Sequence, residues 1–129
     1  MKDTVPTCDI EVEFAGGLDT LTIKQRKQFV IKVNCPELRI TQLIAYLRKS
    51  VFAGKRDMFS EPPELVSPDE HLVDVEGDIP GKLNMNEHCK IRPGILVLVD
   101  DVDWELLGKG DCKIQGSKNV SFISSLHGG

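Results

Sequence analysis

No stretch of this sequence is apolar for long enough to cross a bilayer. The longest strongly apolar run is Ile95-Leu96-Val97-Leu98-Val99, far short of the roughly 20 residues a spanning helix needs. No secretory leader is visible near Met1 either: Lys2 is followed by Asp3, Pro6 and Asp9, without an apolar core. The expected compartment is the cytosol, with entry to the nucleus open. Basic excess is also absent. The formal net charge is −4, whereas a free-standing nucleic-acid binder draws its affinity from neutralising phosphates with lysine and arginine. Any role in nucleic-acid chemistry is therefore expected to run through a partner that holds the nucleic acid.

Cysteine spacing excludes another class. Cys8, Cys35, Cys89 and Cys112 are scattered, and no two are spaced as C-x-x-C. The paired ligands that define a zinc site are missing, so no metal is expected; His88-Cys89 with a distant His71 is the nearest approach to a ligand set. Reduced thiols, some buried as small hydrophobes, are the expectation. Catalytic signatures are missing as well: there is no P-loop, no G-x-S-x-G and no H-E-x-x-H. Asp101, Asp103 and Glu105 read as a solvated turn, not as a carboxylate site. The chain is not expected to be an enzyme or to bind a cofactor of its own.

What is present is one modest domain's worth of patterned sequence, 129 residues with 40% hydrophobic and 28% charged. Cys8, Ile10, Val12 and Phe14 alternate with Asp9, Glu11 and Glu13, the period of a half-buried strand. Gly16-Gly17 breaks it with a turn. Phe29, Ile31 and Val33 alternate against Gln28 and Lys32 as a second strand, and the register of 18–27 between them stays open. Asn34-Cys35-Pro36 ends that strand. Ile40, Leu43, Ile44, Leu47 and Val51 then follow helical spacing, with Arg48 and Lys49 near the end where the helix dipole favours cations.

Residues 55–90 have no clear period. Pro62-Pro63, Pro68 and Gly77 interrupt them, and between Ser60 and Cys89 eight carboxylates face the single Lys82. This reads as a long, mobile acidic insertion, either simply solvated or a docking surface for a basic partner. Ile95–Val99 reads as a central strand buried on both faces. Trp104, the sole tryptophan, reads as a packing anchor. Cys112 and Ile114 form a short strand, and Val120–Ser124 the last. The order strand, strand, helix, strand, short strand, strand describes a small α+β roll.

Past the last strand come Ser125, Leu126, His127, Gly128 and Gly129. Two terminal glycines arise by chance in about one chain in two hundred at a background near 7% per position. Two glycines strip side-chain bulk from a carboxylate that must enter a narrow site. Such a carboxylate is a poor electrophile until activated, and adenylation on a separate enzyme with ATP and Mg²⁺ is the expected route. His127, on the tail, lacks the orienting partner a catalytic histidine needs.

Three segments carry a specific likeness: Arg92-Pro-Gly-Ile-Leu-Val-Leu-Val99, Asp101-Val-Asp-Trp-Glu-Leu-Leu-Gly108 and Asn119-Val-Ser-Phe-Ile-Ser-Ser-Leu-His-Gly-Gly129. Together they resemble the ubiquitin-related modifier family almost continuously over the last 38 residues. Glu11-Val-Glu-Phe-Ala-Gly-Gly17 and the helix around Leu43–Leu47 match more loosely. Departures are the long acidic 55–90 region, Asp100 and Val102 where asparagine and alanine are usual, and Cys112 near a common aromatic position. The resemblance implies a ubiquitin-like β-grasp fold over 1–129, from which the residues past the last strand, 125–129, are expected to project as a flexible tail. It also implies a sulfur carrier. An adenylating enzyme with a rhodanese-like domain would activate Gly129 and convert it to a thiocarboxylate, with Gly128, His127 and Leu126 presented to that enzyme. The sulfur would pass through a tRNA thiolase complex to the wobble uridine of cytosolic tRNAs. The same end would join lysines of target proteins. No direct nucleic-acid binding, no membrane and a monomer are expected; a non-covalent ubiquitin-like binding module is the alternative.

Overall fold

The computed structural model describes residues 6–125. In chain order the elements are β1 (Cys8–Ala15), 3-10 turns at Leu18–Leu21 and Ile23–Gln25, β2 (Gln28–Val33), β3 (Leu38–Arg39), α1 (Ile40–Ser50), α2 (Arg56–Phe59), β4 (Glu64–Leu65), β5 (Leu72–Gly77), β6 (Gly81–Asn84), β7 (Glu87–His88), β8 (Ile95–Val99), β9 (Val102–Asp103), 3-10 turns at Trp104–Leu107 and Lys109–Asp111, β10 (Lys113–Ile114) and β11 (Ser117–Ser124). The main sheet has the order β6-β5-β2-β1-β11-β8-β9. Its two central strands, β1 and β11, run parallel; every other pairing in it is antiparallel. A helix crossing a mixed sheet in this way is the α+β roll, a β-grasp.

β1 alternates buried and exposed along its whole length, and β2 does the same in opposite phase. All five phenylalanines of the chain gather under the sheet. Phe14 lies edge-on to Phe52 at 5.1 Å and stacks on Phe122 at 5.6 Å, while Phe52 and Phe59 stack at 4.3 Å. Edge-on and offset-stacked pairs of this kind are favoured by the ring quadrupoles. With so few aromatics in the chain, this single cluster carries the largest side chains of the core.

Two readings need correction. Ile95–Val99 is not buried on both faces. Val97 and Val99 point inward, but Leu96 is 40% exposed. The helix covers only one face of the sheet, so alternate residues of β8 face outward despite being apolar. A run of five apolar residues cannot reveal this, because the alternation is hidden when both phases are hydrophobic.

Residues 55–90 are not without strands: they contribute α2 and four strands. β5 extends the main sheet through Val33↔Val75 and Ile31↔Gly77. Gly77 has φ +112°, and a Cβ there would sit 2.4 Å from the Val30 carbonyl oxygen, so only glycine allows this approach. The hairpin then folds over α1. Gln42 Nε2 donates to the Met85 carbonyl at 2.7 Å, and the Tyr46 hydroxyl to the Ile79 carbonyl at 2.5 Å. Cys89 N–H donates to the Thr41 carbonyl at 3.1 Å. As a result α1 is buried around most of its circumference, from Ile40 through Leu47 except for Thr41. Among the described residues no helix is long and apolar enough to cross a membrane.

Because β1 and β11 are parallel and in register, their C-terminal ends coincide: Ala15 lies opposite Ile123. Gly16 then turns across the end of β11 with φ +70°, where a Cβ would come within 2.2 Å of the Ser124 carbonyl oxygen. Gly17 has φ +103° but open space around it. Gly16→Ala should therefore cost about 2–4 kcal/mol, combining left-handed strain with a backbone clash. Gly17→Ala should cost only about 1–2 kcal/mol, from strain alone. Urea midpoints of the two variants check this; equal losses would contradict the close approach.

Candidate functional site

The expected reactive residues Gly129, Gly128, His127 and Leu126 lie outside the described residues. What the structure describes is the platform they leave from. β11 ends at Ser124, held between β1 and β8. Ser125 is fastened twice to one acceptor: its N–H and its hydroxyl both donate to the Gly94 carbonyl at 2.8 Å. Gly94 lies in the turn Arg92-Pro93-Gly94, closed by Ile95 N–H to the Arg92 carbonyl at 3.3 Å. The direction of the chain at residue 125 is thus set by the sheet.

Two surfaces flank that exit. On the open face of the sheet, Ala15, Ile123 and Leu96 stand side by side, in register across β1, β11 and β8. Ala15 and Leu96 are exposed, and Ile123 is half-buried. Leu98 and Ser121 continue the strip. Toward the other end of β1 the face becomes acidic, and Asn119 Nδ2 bridges Glu11 and Glu13 at 3.1 and 3.0 Å. The result is an apolar strip beside the tail's exit with carboxylates at its border.

The second surface is a groove of about 420 Å³ whose walls include Gly16, Leu18, Met58, Arg92, Pro93 and Ser124. Its α2 wall is fixed by charge. Arg48, whose side chain is only 13% exposed, donates from Nη2 to Asp57 Oδ1 at 2.7 Å and from Nη1 to the Ser60 carbonyl at 2.8 Å. Arg92 Nε donates to the Asp57 carbonyl at 2.7 Å. The hydrogen bond and charge of Arg48 hold the Asp57 carboxyl below its ordinary range. This clamp of Arg48, Asp57 and Arg92 was not visible in the sequence, where Arg48 reads only as a helix-end cation.

The other singled-out residues are placed as follows. His88 and Cys89 do not form half of a metal site: His88 Nδ1 shares a 2.6 Å hydrogen bond with the Thr41 hydroxyl, and Cys89 is buried. Among the described residues no three His, Cys, Asp or Glu side chains converge to hold a metal ion. Trp104 packs half-buried against the core. Asp103 accepts the Glu105 N–H at 2.9 Å, capping a 3-10 turn. All four cysteines are buried and free. Burial pushes the Cys8 thiol up to about 12, with Cys35 beside it adding to the effect. Burial also raises the thiols of Cys35, Cys89 and Cys112.

The chain has clear relatives. A family model described as Ubiquitin related modifier matches residues 9–129. A ubiquitin-related modifier 1 from Coccidioides immitis is 40% identical over 124 residues, covering 94% of this chain and 87% of the relative. One from Coprinopsis cinerea is 36% identical over 131 residues, covering all of both chains. The human protein of that name is 36% identical over 121 residues, covering 93% of this chain and 94% of its own. Among solved structures, a Rurm1-related protein from Plasmodium yoelii superposes with a TM-score of 0.79 at 31% identity, over 92% of this chain and 98% of that one. The small archaeal modifier protein 1 from Methanosarcina acetivorans superposes with a TM-score of 0.56 over 95% and 98%, and at 10% identity it shares the fold alone. The chain belongs to the ubiquitin-related modifier family.

Proposed function

We propose that this protein carries sulfur on its own C-terminus and that the Gly129 carboxylate is the working group. The observation that carries the reading is the family match, which runs through the Leu126-His127-Gly128-Gly129 tail. In the first step a carboxylate oxygen attacks the α-phosphorus of ATP on a separate activating enzyme. Pyrophosphate leaves and Mg²⁺ offsets its charge, giving an acyl-adenylate. A persulfide on the rhodanese-type part of that enzyme then attacks the carbonyl, and AMP leaves. The resulting acyl disulfide is cleaved by a second enzyme thiol, which forms a disulfide with the first and releases the thiocarboxylate. A tRNA thiolase complex takes the sulfur to the wobble uridine of cytosolic tRNAs. When a lysine amine of a target protein attacks the activated carbonyl instead, the product is an amide-linked modifier.

The described residues support this division of labour. Sulfur carriage on a cysteine needs an accessible thiol with a low pKa. Here every thiol of the chain is buried and shifted the other way, which leaves the carboxylate to do the carrying. The anchored exit at Ser125 and the apolar strip of Ala15, Ile123 and Leu96 supply a surface by which the activating enzyme recognises the tail. Leu126, His127 and Gly128 are the residues it threads.

The test is pyrophosphate exchange into ATP by the activating enzyme. Deleting Gly129 should abolish exchange. Leu96→Asp should raise KM about tenfold with kcat nearly unchanged, since an apolar contact worth about 1.4 kcal/mol binds ground state and transition state alike. Exchange that survives the deletion would overturn the assignment to Gly129, and no exchange with the intact protein would overturn the carboxylate's role and leave a non-covalent binding module.

The thiols give an independent prediction. At pH 8 the native protein should resist iodoacetamide at all four cysteines, while the urea-unfolded chain is alkylated at each. Because the folded thiols hold their protons more tightly than unfolded ones, their contribution to stability is complete below the ordinary thiol range. It is lost as pH rises from about 9 toward the Cys8 value of about 12. A urea midpoint that is flat across that range would contradict the burial.

A further inference from the structure

Three large apolar side chains of the acidic segment stand in solvent: Leu65 is 59% exposed, Val66 68% and Leu72 46%. Two short ladders in different sheets bring their backbones to one segment. Leu72 lies opposite Asn84 and Leu65 opposite Glu87, and Val66 N–H donates to the Asn86 carbonyl at 2.9 Å. All three positions therefore pair with residues 84–87, where the chain turns at 85–86 between β6 and β7. Residues 67–71 loop out between them. That loop is pinned by Asn86 Nδ2 to the Asp69 carbonyl at 2.8 Å and by Met85 N–H to the His71 carbonyl at 2.7 Å.

The charges around the trio are lopsided. Between Arg56 and Lys82 there are eight carboxylates and no lysine or arginine. Four are engaged: Asp57 with Arg48, Asp74 with Lys82, Asp78 with Arg26, and Glu76 with the Asn34 amide. Glu61, Glu64, Asp69 and Glu70 make no ion pair among the described residues. Glu64 precedes Leu65, and Asp69 and Glu70 stand just before Leu72, so exposed carboxylates border the apolar centre. The scaffold beneath is preorganised. His88 is bonded to Thr41, Glu87 to Lys49 at 3.0 Å, and Met85 to Gln42, so the ribbon is tied to α1 at three points. A partner need not pay to order it.

We propose that this ribbon is a docking surface for a protein segment carrying lysines or arginines on either side of an apolar or aromatic side chain. Charge complementarity selects the occupant. Nucleic acid and anionic membrane are repelled by the bordering carboxylates. A second copy, meeting the same patch across a two-fold axis, would set like charges against each other. Nothing in this inference depends on the chemistry at Gly129.

The experiment titrates the ¹⁵N-labelled full chain with a short peptide of alternating lysine and leucine, and in parallel with its glutamate–leucine counterpart. Amide shifts should be confined to 64–72 and 84–88. Affinity should fall at least about tenfold between roughly 50 and 500 mM salt, as the charges are screened. Leu65→Ser with Val66→Ser should weaken binding about tenfold. Independently, Glu64→Gln with Asp69→Asn and Glu70→Gln should remove most of the salt dependence, and unchanged urea midpoints certify the fold of both variants. Shifts centred on the Asp9–Glu13 face, equal binding of the glutamate peptide, or indifference to both variants would overturn the proposal. So would concentration-dependent shifts of the same amides without peptide, which would assign the patch to self-association.

Discussion

The parallel pairing of β1 with β11 is the constraint from which the rest of the molecule follows. It joins Asp9 to Ser117 and Ala15 to Ile123 through seven consecutive positions, bringing together segments more than a hundred residues apart in the chain. Closing so long a loop costs entropy, though only logarithmically in its length. The burial under the pairing offsets it: Val12 with Val120 and Phe14 with Phe122 all lie within the hydrophobic core, each worth about 1.5–3 kcal/mol when fully removed from water. β2 adds to one side of this pair, and β8 to the other. Parallel strands also end together, so the Gly16 turn meets Ser124 where the chain departs toward its tail. The sheet thereby fixes the position of the chain up to Ser125, the last described residue.

The acidic segment serves a different purpose from the sheet's centre. In its absence α1 would be covered on one side only, by the sheet. Gln42, Tyr46 and Thr41 instead spend their polar groups on backbone or side chains of residues 79–89, and no buried polar side-chain atom among the described residues is left without a partner. The tail exit with its apolar strip lies at the end of β1, β8 and β11, whereas the ribbon of Leu65, Val66 and Leu72 hangs on the helix side. The tail exit and the proposed docking surface are thus carried by different elements.

Much of this was legible in the residues. The clean alternation of Cys8–Phe14 and Phe29–Val33 marks half-buried strands because the polar phase is charged. The spacing of Ile40 to Val51 marks the helix. Ile95–Val99 misleads for the opposite reason: with both phases apolar, the open face cannot be distinguished from the buried one. β5 was missed because Leu72-Val73-Asp74-Val75-Glu76 is short, charged and bounded by turn residues. Its place is decided by pairing with β2 and by the backbone contact that Gly77 permits. Register explains what was missed at the site. Ala15, Ile123 and Leu96 come from three distant segments, and only the pairing brings them side by side. Arg48, Asp57 and Arg92 likewise meet only in the folded chain. The tail itself, Leu126 to Gly129, was read from local chemistry and from the resemblance.

The central claim is that the chemistry resides in one terminal carboxylate and in no side chain. It is tested most directly by the intact mass of the untagged protein isolated from its own cells, followed by fragmentation. The account predicts a species in which one terminal oxygen is replaced by sulfur, with the change mapped to Gly129. A plain carboxylate on every molecule, unchanged after incubation with the activating enzyme, ATP and a sulfur source, or sulfur found on a cysteine instead, would contradict it.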